Sequence, residues 1–181
     1  MQRIAVFVFG ALAVSMSVSA QSPSEIETAL LAAPANLREG ATIIRWKSDY
    51  TYDTVRKGTN RLVCFDISGM AGQQPFSIEC TSIANLERVA QNLKFEAEPD
   101  RAKRQAALDA AEKNGTRAKP EYGSVWYHVR GPDREHTRAH TTIAVPGATT
   151  ASTGFPDNAK QGGVWIMDAG TSTAHLMTPG Q

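Results

Sequence analysis

Residues 1–20, MQRIAVFVFGALAVSMSVSA, read as an export signal, and that reading decides which residues are left to fold and in which compartment. Arg3 supplies a short positive start, and Ile4 to Val14 forms the apolar stretch. Val18-Ser19-Ala20 places small residues at a cleavage site, so the mature chain is expected to begin at Gln21. Gly10 interrupts the apolar stretch and serines follow it. It falls short of the ~20 residues a membrane-spanning helix needs, so cleavage is expected over anchoring. No cysteine lies near the cleavage point, which argues against a lipid-modified N-terminus. No other long apolar run occurs, so no membrane insertion is expected after cleavage.

Export makes the cysteine count informative. Cys64 and Cys80 are the only two cysteines, and thiols in an oxidising compartment pair. The loop between them has 15 residues. Closing a loop of that size is worth ~3 kcal/mol in the chain-entropy account. The spacing is neither C-x-x-C nor a zinc pattern, so a structural disulfide is expected.

Removing the 20 leader residues from 181 leaves 161, one ordinary domain with room for a hydrophobic core. The leader carries one of the 19 Lys and Arg residues, so the mature chain has 18 cations against 18 Asp and Glu. A chain without net charge or a basic block is a poor match for nucleic acid or for an anionic membrane surface.

The pattern along the chain alternates strands and helices unevenly. Ile26, Ala29, Leu30 and Ala33 recur at helical spacing behind a Ser22 or Ser24 cap, and Pro34 breaks that arm. Short β-rich runs follow at Ala41–Trp46, Tyr50–Val55 and Arg61–Asp66. Ser77–Cys80 reads either as a returning strand or as an extended entry to the next helix. Ser82–Leu93 is an amphipathic helix with Ile83, Leu86, Val89, Ala90 and Leu93 on one face. A second, alanine-rich helix spans about Pro99–Lys113, with Pro99 in its first turn and Asn114-Gly115 as its stop. The last third is β-rich, at Tyr122–Arg130, Thr141–Val145, Val164–Met167 and His175–Met177, with loops at Gly131–Arg138 and Gly147–Gly162. Strands, then helices, then strands predict a single α+β domain with a largely antiparallel sheet and two to three helices.

The standard catalytic signatures are missing. There is no phosphate-cradling glycine loop, no G-x-G-x-x-G, no H-E-x-x-H and no G-x-S-x-G. All four histidines, His128, His136, His140 and His175, fall after residue 127. Imidazole is a common metal ligand and proton shuttle. His136 and His140 face the same way if their loop makes one helical turn. His140 opens one strand and His175 another; if those strands are neighbours, the rings meet at one end of the sheet. Met177, two residues on from His175, projects to the same side. A His/Met pair suits copper(I), for which thioether is a soft ligand. The plain alternative is a hydrogen-bonded strand-end histidine and a core methionine.

A nucleophilic reading places Asp168, Ser172 and His175 in one short segment, where three triad members seldom align. The aromatics Trp46, Trp126, Trp165, Tyr50, Tyr52 and Tyr127 read as core and sheet packing before they read as a ligand platform. Asn114-Gly115-Thr116 is a formal glycosylation sequon that the turn ending a helix also explains.

Several short motifs carry a family resemblance. They are Ala33-Pro34, Gly40-Ala41-Thr42, Gly58-Thr59-Asn60 with Cys64, and His140 opening a β-run to Pro146. Gly162 to Met167, Gly170-Thr171 and Ala174-His175-Leu176-Met177 complete the set. Together they resemble a family of small exported bacterial proteins of unknown function, over most of the mature chain. The resemblance implies export and histidines at positions 140 and 175, and it implies no activity. The chain departs at Thr142, where the family carries a methionine two residues after the first histidine, which weakens a two-His, two-Met copper set.

The expectation is an exported module that binds a small ligand or soft metal at His140, His175 and Met177, with His136 in a lesser role. The alternatives are a hydrolase using a histidine base and a structural or interaction protein of the envelope. The sequence names no cofactor and leaves enzymatic activity open.

Overall fold

The computed structural model describes residues 23–178. The expected export signal and Gln21 lie outside them. The chain forms one open, eight-stranded sheet in the order β2-β1-β3-β4-β5-β6-β8-β7. The strands are β1 (Thr42–Trp46), β2 (Tyr52–Arg56), β3 (Leu62–Asp66), β4 (Phe76–Ser82), β5 (Val125–Gly131), β6 (Arg138–Ala144), β7 (Trp165–Met167) and β8 (His175–Met177). Every neighbouring pair is antiparallel except β1 with β3. The architecture is the α+β domain the sequence predicts.

Alternation along the central strands divides the core between two faces. Ile43, Cys64, Ile78 and Cys80 point to one, where the N-terminal arm covers them with Ala29, Ala32 and Ala33. The arm is shorter in helix than its spacing implies. It comprises α1 (Pro23–Ala29) and two 3-10 turns, Leu30–Ala32 and Ala35–Leu37, separated at Pro34. Cys64 and Cys80 sit directly opposite each other on β3 and β4 and form the expected disulfide, with Cα atoms 4.1 Å apart. Both are fully buried beneath the arm, and Ala29 O lies 3.7 Å from Cys80 Sγ.

Ile44, Val63, Phe65 and Trp126 point to the other face, against α2 (Leu86–Glu96). Leu86, Val89 and Leu93 of α2 meet them, the stripe its spacing predicts. The helix is entered through a 3-10 turn, Ile83–Asn85, whose cap Ser82 accepts from the Ala84 amide. Buried Asn85 fixes that entry. Its Nδ2 donates to Thr81 Oγ1 at 2.8 Å and Ser124 Oγ at 2.9 Å, and its Oδ1 accepts from the Glu121 amide at 2.7 Å.

Helix α3 (Arg101–Lys113) starts at an Asp100 cap, which accepts from the Ala102 and Lys103 amides. Pro99 therefore precedes the helix instead of occupying its first turn. Asn114 ends it, turning back to accept from the Thr116 amide and hydroxyl, with Gly115 at φ +73°. The Gly147–Gly162 stretch is not wholly loop: a one-turn α4 (Thr150–Thr153) sits in it, closed by a Thr149–Ser152 capping box.

Candidate functional site

Helix α2 covers only part of its face of the sheet. Beside it, where β4, β5, β6 and β8 carry polar residues to the same side, the surface opens into a cavity of ≈ 680 Å³. All four histidines line it, together with Glu79, Arg130, Trp126, Arg88 and the methionines Met167 and Met177.

Strand register explains the convergence. Glu79 on β4 stands opposite His128 on β5, and His128 opposite His140 on β6, so three polar side chains form one row across three strands. One register step away, Trp126, Thr142, Met177 and Trp165 form a parallel row across β5, β6, β8 and β7. Beyond it stand Ala144, His175 and Met167. The rings stack along the cavity floor: Trp126 and His128 are 6.3 Å apart and 19° from parallel, His128 and His140 6.1 Å and 23°.

Glu79 is the electrostatic centre. His128 Nδ1 lies 3.1 Å from its Oε1, and Arg130 Nη2 makes a close ion pair with the same oxygen. The His128 contact is an ion-pair approach without hydrogen-bond alignment. Burial alone raises the Glu79 carboxyl; the His128 and Arg130 charges outweigh it and hold the group at about 2. His140 is pushed below its ordinary value, first by burial and then by the charges of His128, Arg130 and His175. Glu96, at the α2 end of the cavity, is raised by burial although Gln73 donates to it at 2.6 Å. The cavity is thus weighted toward cations, with Glu79 consumed by its partners.

The loop before β8 is fastened from α2. Arg88 donates to Ala118 O at 2.8 Å, Ser172 Oγ at 3.1 Å and Thr173 Oγ1 at 2.7 Å. Burial lowers Arg88 only to about 10, so it stays a cation at neutral pH. The carbonyl of Thr173 in turn accepts from His175 Nδ1 at 2.7 Å. A carbonyl only accepts, so the proton is on Nδ1, and a neutral His175 presents the lone pair of Nε2. His136 stands at the cavity mouth, exposed, with Nδ1 2.8 Å from Asp133 Oδ1. Gly131 lets that loop close on β5: a Cβ there would lie 2.2 Å from His136 O.

The structure brings His136, His140, His175 and Met177 to one cavity and corrects their arrangement. His140 is the third residue of β6 and not its opening one. β6 and β8 are neighbours as expected, but His175 faces Ala144, four residues from His140. At ~3.3 Å per residue that is ~13 Å along the strand, so the ring partner of His140 is His128 and not His175. The Asp168, Ser172, His175 triad does not assemble. Ser172 donates to Glu112 and accepts from Arg88, and His175 Nδ1 is spent on Thr173. Among the described residues no group of three or more His, Cys, Asp or Glu side chains is placed to hold a metal ion.

Sequence reasoning missed Glu79, Arg130, Arg88 and Met167. One signal was present: Glu79 is the lone charge in the otherwise uncharged strand FSIECTS, and a buried strand charge needs a partner. Trp126, His128 and Arg130 alternate at period two, which puts them on one face. Of the aromatics, Trp126 reaches the cavity, whereas Trp46 packs edge-on against Tyr52 and Phe65. No family model matches this chain, and no curated protein and no solved structure matches it.

Proposed function

We propose that this protein is an exported module that binds a small organic anion in the cavity between α2 and the β5–β6–β8 face. The observation that carries the reading is the convergence of four histidines, three arginines and Trp126 on one ≈ 680 Å³ cavity. That volume lies in the range of small-molecule sites, which join apolar walls to a few polar groups. Trp126, Val89 and Leu93 supply the wall. Arg138, at the rim, has no side-chain partner among the described residues, and His140 offers a ring not spent on protein acceptors. A carboxylate or phosphate beside them offsets the cationic excess. Export is supported by the leader-like residues 1–20 and by the disulfide. The resemblance to small exported bacterial proteins supports it further.

The test is native mass spectrometry of protein purified from a bacterial envelope. The expected result is a retained small-molecule mass on wild type that is lost from His140→Ala. A wild-type spectrum showing only bare protein overturns the reading.

The buried Glu79–His128 contact favours a second reading, a hydrolase with His128 as base, because a carboxylate 3.1 Å from the ring stabilises the imidazolium formed when the base takes up a proton. On that reading ester turnover is present in wild type and falls at least ~100-fold in His128→Ala.

A further inference from the structure

The β7–β8 end of the cavity has a donor set of a different kind from the arginine-rich end. Met167 on β7 stands directly opposite His175 on β8, and Met177 follows His175 by two residues on the same face. Directly opposed side chains have Cβ atoms ~5 Å apart, and next-but-one neighbours on a strand are ~6.6 Å apart. Both spacings are within the joint reach of two flexible thioethers and an imidazole around a single atom. All three residues line the cavity. Met167 is a large apolar side chain left 46 % exposed at the end of β7.

We propose that His175 Nε2 and the thioether sulfurs of Met167 and Met177 form a binding site for one copper(I) ion. Three observations carry this. The first is the register that gathers the three donors. The second is the fixed tautomer of His175: Nδ1 donates to Thr173 O at 2.7 Å, which leaves Nε2 as the ligating atom and orients the ring. Metal-binding histidines are held this way, by a carbonyl or carboxylate on the other nitrogen. The third is the chemistry of the set. Two thioethers and one imidazole are neutral and soft, which suits a monovalent soft ion of low coordination number. A hard or borderline divalent ion finds no matching group, since both cysteines are in the disulfide. The ion sits at the opposite end of the cavity from Arg130 and Glu79, and it does not use Arg138 or His140, the groups offered to the organic anion.

The experiment uses the exported protein, freed of small molecules, titrated anaerobically with copper(I) against a chromogenic copper(I) chelator. Wild type is expected to take one equivalent. Met167→Leu and Met177→Leu, which keep side-chain volume, are each expected to weaken binding at least ~10-fold, and His175→Ala to abolish it. Met70→Leu, a thioether packed against the core and not lining the cavity, is expected to bind as wild type. X-ray absorption of the loaded protein is expected to show sulfur neighbours. The proposal is overturned if wild type takes up no more copper(I) than His175→Ala, if Met167→Leu and Met177→Leu bind as tightly as wild type, or if no sulfur scatterer is found. Thermal unfolding of each variant shows that it is folded when titrated. Loss of the organic mass from His140→Ala is read separately, so either proposal can fail without the other.

Discussion

Glu79 shows how one side chain can organise a site and set the pH range in which it survives. Its carboxyl is held at about 2 in the folded protein, against roughly 4.3 in an unfolded chain. A depressed carboxylate contributes stability that is complete above the unfolded value and is lost as pH falls through the folded one. Folding stability is therefore expected to drop between pH 5 and pH 2 by ~3 kcal/mol from this group. Urea denaturation across that range measures it. Glu79→Gln should flatten that segment of the profile. At pH 7 it should cost ~3 kcal/mol, because Arg130 loses its counter-ion. His140 runs the other way. Its folded value is below the ordinary histidine value, so the unfolded state binds more protons, and stability falls as pH drops through ~6.5. The proton resonances of its ring should accordingly titrate below pH 6.5. A ring that titrates above that value contradicts the burial and charge crowding seen here. That histidines 140 and 175 line one cavity could be anticipated from the chain, because four histidines in one third of it stand out. The importance of Glu79 could not, because its meaning lies in what β5 places opposite it.

Helices and strands were readable where a period and a stop signal coincide. The stripe of α2, the Asn114-Gly115 end of α3 and the strand on either side of Cys64 all follow from local pattern. What local pattern does not specify is pairing. β4 and β5 are separated by two helices yet lie side by side, and that neighbourhood creates the Glu79–His128–His140 row. The outer order, β8 inside β7, likewise decides that Met167 meets His175. Gly131 had no apparent reason until its close approach to His136 O gave one. At this level the disulfide makes a firm prediction. It joins directly opposed residues of β3 and β4, so reduction, or Cys64→Ala with Cys80→Ala, is expected to lower stability by ~2–4 kcal/mol. Denaturation with and without reductant gives the number. Equal midpoints would mean that the bond is not made in the native protein.

Taken as a molecule, the sheet is a divider. One face is covered by the arm over β1, β3 and β4, and the other is half covered by α2, leaving the cavity where polar strands run past the helix. The address of the molecule is a separate matter from its shape. If residues 1–20 direct export, protein isolated from the envelope is expected to begin at Gln21, within a residue or two, by N-terminal sequencing. An intact Met1 on that material would count against cleavage.

The arm-covered face also imposes an order in time. With Cys64 and Cys80 at 0 % exposure beneath Ala29, Ala32 and Ala33, no oxidoreductase or small thiol reaches either sulfur once the arm is down. Oxidation has to come before the arm docks, and the docked arm then preserves the oxidised state. Native protein is expected to lose its disulfide to dithiothreitol at a rate that levels off with reductant concentration, because the limiting event is the opening of the chain and not the chemistry of the thiol. The arm thereby keeps a record of the compartment in which the chain matured.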